Sequence, residues 1–230
     1  MTLNGINIRS FTKRQLQELQ LVKNGDIGSN SKVYKLDDDE CLKVFNKSKD
    51  IFNLFSVNDL TKVNFGWATL PRFCAVLSGR FCGYTMEYID GIPIILFGEL
   101  NFLQFLNMYS TLLQNVLYDS SQEGIKICDV HFGNILYDYY DARLKMVDTD
   151  SWKRNLHDNK SEIKKNNSII MSRCFSINVF GMEEIYLGDD FVDYYESVKS
   201  KWEKRLGKKM RTISDVYEGI NGYEYRYKRN

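Results

Sequence analysis

The sequence predicts an α+β protein built as two lobes. Its first third alternates short apolar runs with turn signals, the remainder is mostly helical in pattern, and the character changes at Asp90-Gly91. Strands gathered before helices are the mark of an α+β arrangement rather than of alternating βα units. The length of 230 residues, with 43% hydrophobic and 27% charged side chains, is enough for a real core in each lobe.

In the first lobe, Leu19 to Val22, Lys32 to Leu36 and Cys41 to Phe45 each read as a strand, and Asp37-Asp38-Asp39 turns between the last two. Lys49 to Asn64 is predicted helical, with Ile51, Leu54, Phe55 and Leu60 near the helical period. Phe73 to Leu77 and Phe81 to Tyr88 pair as a hairpin across Ser78-Gly79. An antiparallel sheet follows from this succession. In the second lobe, Glu99 to Tyr118 carries Leu100, Leu103, Leu106, Leu113 and Leu117 on a helical pattern. A strand–loop–strand runs through Ile135-Leu136 and Leu144 to Val147, and Phe191 to Leu206 is an amphipathic helix. The expected division is residues 1–88 and 89–230, with a hinge at about 87–91. No internal repeat or low-complexity linker interrupts it.

Composition narrows the function. The 31 basic and 30 acidic residues give no overall bias toward nucleic acid or membrane. The opening MTLNGINIRSFTKRQ is charged at Arg9, Lys13 and Arg14 and has no apolar core of a secretory signal. The longest apolar stretch, Ile92 to Phe97, is far too short to span a bilayer. Cys41, Cys74, Cys82, Cys128 and Cys174 form no CxxC pair, and His131 and His157 are the only histidines. Reduced thiols, a cytoplasmic compartment and no zinc site are expected. The stretch from Tyr195 to Asn230 is basic and tyrosine-rich, and is read first as a solvated helix face packing its tyrosines on the lobe, with a surface for an acidic partner or nucleic acid as the alternative.

The residues that carry chemistry lie in CDVHFGNILYDYYDARLKMVDTDSW, residues 128–152. One loop supplies an acid, Asp129, and an amide, Asn134; a second acid, Asp148, ends the next apolar strand. Phosphoryl transfer needs a carboxylate to orient the acceptor hydroxyl and oxygen ligands for Mg²⁺. The plainer reading of the same residues is a polar turn between two strands. Upstream, NGDIGSNSKVYKLDDDECLKVF, residues 24–45, is a loop between β-like runs that ends in Lys43 between apolar neighbours. Small residues let a backbone approach phosphates; Lys43 by itself is equally compatible with a solvated strand lysine.

Taken in order, these segments resemble the protein-kinase superfamily, and Asp129-Val-His-Phe-Gly-Asn134-Ile-Leu is especially similar to the loop of aminoglycoside and choline kinases. The resemblance spans about residues 19–190 and implies a bilobal kinase-like fold that binds ATP and Mg²⁺. It implies that Asp129 is the catalytic aspartate, that Asn134 and Asp148 are the Mg²⁺ ligands, and that Lys43 holds the α- and β-phosphates. Gly28, Ser29 and Val33 correspond to the loop over the phosphates. In Gly83-Tyr-Thr-Met-Glu-Tyr-Ile-Asp-Gly91, Met86 corresponds to the gatekeeper, and the Glu87 carbonyl and Ile89 amide to the adenine contacts. Ser176 to Gly188 resembles the buried helix of the second lobe.

The chain also departs from that pattern. Of the three usual glycines only Gly28 stands in place, with Asp26 and Ser31 at the others and Gly25 nearby. No glutamate lies between Lys43 and Leu70 to pair with the lysine; Asp59 is the expected substitute, since Asp50 is too near in sequence. Ile127-Cys128 replaces the usual His-Arg, so no partner for a phosphorylated activation loop is expected. Asp148-Thr149-Asp150 replaces Asp-Phe-Gly, with Asp150 either adding a metal contact or facing water. The first expectation is a protein Ser/Thr kinase. A small-molecule phosphotransferase and a nucleotide-binding pseudokinase scaffold remain the alternatives, so the acceptor is a protein or small-molecule hydroxyl.

Overall fold

The computed structural model describes residues 2–3, 5–22, 31–46, 51–183 and 185–222. It is an α+β structure that divides into two compact units, Met1–Ile89 with Val147–Arg154, and Asp90–Met146 with Asn155–Asn230.

The first unit is organised by one seven-stranded sheet. Its strands are β1 (Thr2–Leu3), β2 (Ile6–Phe11), β3 (Gln20–Leu21), β4 (Ser31–Lys35), β5 (Glu40–Phe45), β6 (Phe73–Leu77) and β7 (Arg80–Glu87), in spatial order β1-β2-β6-β7-β5-β4-β3. Helix α1 (Lys13–Glu18) follows β2, and α2 (Ile51–Leu60) follows β5. The β6–β7 hairpin turns on Ser78 (φ 51) and Gly79 (φ 78). Two successive positive φ angles match the twist of the strands they join.

The expected antiparallel sheet is corrected to a mixed one. β2 pairs parallel with β6, Ile8 opposite Cys74 and Phe11 opposite Leu77. Read for signals of export, the opening residues offered too brief an apolar alternation to announce a strand. Their pairing partner lies more than sixty residues further on, where local pattern cannot show it. Helix α1 is likewise unforeseen, although Thr12 and Gln15 form a capping box at its start.

Both sheet faces are covered. Cys41, Phe45, Tyr84 and Met86 pack with Cys74, Val57 and Leu54 on the α2 side. Leu42 and Ala75 pack with Phe11 and Leu16 on the α1 side. Helix α2 ends at Leu60, short of the predicted Asn64, while Lys49 and Asp50 lie outside the described residues, and Phe55 on it is 54% exposed.

The second unit combines a small antiparallel sheet with helices. β8 (Gly91–Pro93), β10 (Ile135–Asp138) and β11 (Arg143–Met146) pair in the order β11-β10-β8, and β9 (Ile125–Lys126) precedes the loop to β10. The helices are α3 (Phe102–Gln122), α4 (Lys160–Phe175), α5 (Phe191–Leu206) and α6 (Ile213–Asn221). Asn101 caps α3 by accepting from the Gln104 amide at 3.1 Å.

The core face of α3 differs from the expected leucine stripe. Phe102, Phe105, Leu106, Tyr109, Leu112, Leu113 and Val116 are buried, while Leu103 is 46% exposed. Aromatic rings set this face because they must meet a ring cluster from other elements. Phe105 lies edge-on to Phe132 at 5.6 Å, Tyr109 packs on Phe175 at 4.9 Å, and Phe175 on Tyr195 at 4.7 Å. The expected buried helix at Ser176 to Gly188 is helical only to Phe180, in a π-turn that continues α4 and ends at Gly181 (φ 64). Ser176 Oγ shares a 2.6 Å hydrogen bond with the Tyr195 hydroxyl inside this core.

Candidate functional site

Lys43 lies in the middle of β5, opposite Val33 of β4 and Tyr84 of β7. Strand alternation puts Val33, Lys43, Tyr84 and Met86 on one face, the face that packs toward α2. An amine there has left water and needs acidic partners. It finds two: Nζ contacts Asp148 Oδ1, and Asp150 Oδ1 at 2.9 Å. Both acids belong to the same compact unit as Lys43. The expected partner, Asp59, is corrected: its carboxylate pairs with Lys62 at 2.6 Å, one turn along, where a short side chain meets its neighbour first.

The turn that carries the two acids is firmly held. Asp148 is in the left-handed region (φ 60), which costs a non-glycine residue energy and which Asp tolerates better than most. Thr149 is fully buried and donates its hydroxyl to the Thr69 carbonyl at 3.0 Å. The Trp152 amide closes the turn on the Thr149 carbonyl at 3.1 Å. Trp152 is itself 1% exposed and packs on Trp67 at 5.9 Å. Gly83, on β7, passes so close to β5 that any side chain there would collide with the Lys43 carbonyl oxygen. A glycine in a strand interior is explained by that approach.

The electrostatics of this cluster are set by two acids sharing one buried amine. Burial, followed by a hydrogen bond to Asp150, pushes the Asp148 carboxyl above the usual carboxylate range; the attraction of Lys43 opposes the rise without cancelling it. Two acidic side chains thus face one buried amine. Tyr84, fully buried beside them, is driven well above its ordinary titration by burial first and then by Asp150 and Asp148, so its phenol stays neutral. Its hydroxyl has no hydrogen-bond partner among the described residues.

The second unit holds Asp129 and Asn134. Asp129 is exposed and left-handed (φ 54). Asn134 is 8% exposed and donates its amide to the Asp129 carbonyl at 3.0 Å. That bond commits the nitrogen and leaves Oδ1 as the acceptor, the orientation a cation ligand requires. His131 Nδ1 accepts from the Gly133 amide at 3.1 Å, and Phe132 anchors the loop in the aromatic core.

Sequence reasoning missed the residue that holds this loop's approach. Asn167 of α4, fully buried, accepts from the Ile127 amide at 3.2 Å and donates to the Ile125 carbonyl at 2.9 Å and to Ser120 Oγ at 2.8 Å. The only signal was an asparagine in the apolar face of a helix. Asp150, expected either to add a metal contact or to face water, pairs instead with the Lys43 amine and is only 13% exposed; its place two residues after Asp148 was the available clue to that partner.

Of the remaining expected contacts, Met86 is 7% exposed, with the Thr69 hydroxyl 3.8 Å from its sulfur. The Glu87 carbonyl receives the Cys41 thiol at 3.6 Å. Burial first, then Glu40, pushes that thiol up to about 12, so it remains a neutral donor. Ile89 is half-buried just past the end of β7. Gly28, Ser29, Gly25 and Asp26 lie outside the described residues, as does Asp50.

No group of three or more His, Cys, Asp or Glu side chains gathers as a metal site among the described residues. Mg²⁺ does not need one, because it binds through one or two protein oxygens, phosphates and water. Asn134 Oδ1 in the second unit and the Asp148 carboxylate in the first are each, taken singly, oxygen ligands of that kind. No helix among the described residues is long and apolar enough to cross a membrane. No family model matches the chain, and no curated protein sequence matches it.

Proposed function

We propose that this chain is an ATP-dependent phosphotransferase of the protein-kinase-like kind, acting on a protein Ser or Thr hydroxyl. The observation that carries the reading is the burial of the Lys43 amine against Asp148, a residue 105 positions away in sequence. A polar turn and a solvated strand lysine give no reason for such an encounter, whereas phosphoryl transfer needs this pair near one nucleotide.

In this reading Lys43 holds the nonreacting phosphates as a point charge. Asn134 and Asp148 would each supply an oxygen ligand to Mg²⁺, which when bound would neutralise charge on the transferring phosphoryl group. Asp129 accepts the hydrogen bond of the incoming hydroxyl and orients it for in-line attack. Met86, Glu87 and Ile89 are assigned to the adenine, and Gly28, Ser29 and Val33 to the phosphates, by resemblance.

A nucleotide-binding scaffold without turnover is the second reading. What favours it is that Lys43 is ion-paired to both carboxylates and, among the described residues, to no glutamate.

The test is γ-phosphate transfer from Mg-ATP by purified protein, alone and with a generic protein substrate, beside Asp129→Asn and Asp148→Asn. Phosphate on protein, lost in both variants, is the expected result. ATP consumption without protein labelling would redirect the acceptor to a small molecule. Binding of ATP without any turnover would leave the scaffold reading standing in its place.

A further inference from the structure

The two acids that share Lys43 are not equivalent, and the difference suggests separate duties. The Asp150 side chain is 13% exposed and that of Asp148 41%. Asp150 also lies between two fixed points: Thr149, bonded to the Thr69 carbonyl, and Trp152, packed on Trp67. Asp148 precedes both anchors and sits on the solvent side of the turn.

We infer that Asp150 is the positioning residue that keeps Lys43 in place, supplying the carboxylate that no glutamate among the described residues provides, so that Asp148 is free to leave the lysine for a divalent cation. This rests on the phosphotransferase reading for the cation, but the lysine contact itself does not. A single acid cannot serve both partners at full strength. If Asp148 were the only anchor, cation binding would release a buried amine with nothing to neutralise it, which is costly. With Asp150 2.9 Å from Nζ, the amine keeps a partner throughout. Asp150 touches neither the acceptor nor the reacting phosphoryl group in this scheme; it acts through Lys43.

Two measurements test the division. Urea unfolding of Lys43→Met, Asp148→Asn, Asp150→Asn and the two lysine–acid double variants, without nucleotide or metal, reads how strongly each acid is coupled to the lysine. The expected coupling in the unfolding constant is about tenfold or more for Asp150 and under about threefold for the more solvated Asp148. An Asp148 coupling equal to or larger than that of Asp150 would overturn the inference.

The second measurement is Mn²⁺ binding, by electron paramagnetic resonance, with a nonhydrolysable ATP analogue present. Asp148→Asn should lose at least about tenfold in Mn²⁺ affinity and Asp150→Asn less than about threefold. Equal losses would make Asp150 a metal ligand and also overturn it. Should an asparagine variant not fold, Asp148→Glu and Asp150→Glu carry the same comparison, with the larger loss still expected at position 148. Absence of Mn²⁺–nucleotide binding by the unmodified protein would sink the phosphotransferase reading, while the coupling order would still decide the role of Asp150.

Discussion

The loop from Asp129 to Asn134 and the cluster of Lys43, Asp148 and Asp150 solve the same problem in opposite ways. Each presents an aspartate in the left-handed region. The loop is assembled within six residues: Asn134 reaches back to the Asp129 carbonyl, and His131 catches the Gly133 amide. The cluster exists only when β5 has met a turn more than a hundred residues later. A local device can lose its functional group and keep its shape. A long-range device binds its chemistry to the folding of the whole unit, because removing one charge leaves another buried and unpaired.

That contrast is sharpened most by Asp129→Asn. Asparagine tolerates the left-handed backbone, so the loop should persist while transfer of γ-phosphate falls by about 10²–10⁴-fold. Thermal melting run beside the kinetic assay should show a change of no more than a few degrees; a collapse in stability would mean the loop is not self-contained.

Asn167→Ala probes where the loop does depend on its surroundings. It strips partners from the Ile127 amide, the Ile125 carbonyl and Ser120 around a fully buried side chain, and should cost about 2–3 kcal/mol in urea unfolding. A loss below the error of the measurement would remove Asn167 as the support of residues 125–127.

Gly83→Ala makes the corresponding test on the cluster. The added methyl meets the Lys43 backbone, so β5 must shift, at about 1–3 kcal/mol and with a weaker grip on nucleotide, readable by titration of a fluorescent ATP analogue. Unchanged nucleotide affinity would show that Lys43 tolerates displacement.

The smallest effect serves as a control outside both regions. Burial alone would raise the Asp215 carboxyl, but the amides of Arg211 and Thr212 and the Thr212 hydroxyl outweigh it, and the group is held below its ordinary value. A depressed acid stabilises the fold above its unfolded value and loses that contribution as pH falls through the folded one. Asp215→Asn should therefore cost less than about 1 kcal/mol at neutral pH. In paired melts the gap to the unmodified chain should close as pH falls below the usual carboxylate range of about 4.

What was legible in the sequence follows the same line between local and distant. Helix α5 spans the predicted Phe191–Leu206 because its apolar period, and Gly207 after it, are written in consecutive residues. The β6–β7 hairpin was readable from Ser78-Gly79 for the same reason. The acid and amide of the 129–134 loop announce themselves by adjacency. The partner of Lys43 did not, because Asp59 and Asp150 are equally good acids in a string of letters. Only the burial of Thr149 and Trp152 sets one of them against the amine. Leu103 and Leu106 look alike on a helical wheel, and the aromatic cluster decided between them. The parallel pairing of β2 with β6 lay beyond any local pattern.

That pairing bears on how the protein can be handled. β2 covers the hydrogen-bonding edge of β6, and Arg9 on it pairs with Glu40. A chain trimmed to start at residue 12 would bare a five-residue edge, Phe73–Leu77, rich in apolar side chains and lacking any charge to discourage a stranger. Such a piece should show more concentration-dependent light scattering than the full chain. Strand β2, which looks dispensable beside the chemistry, is what occupies that edge.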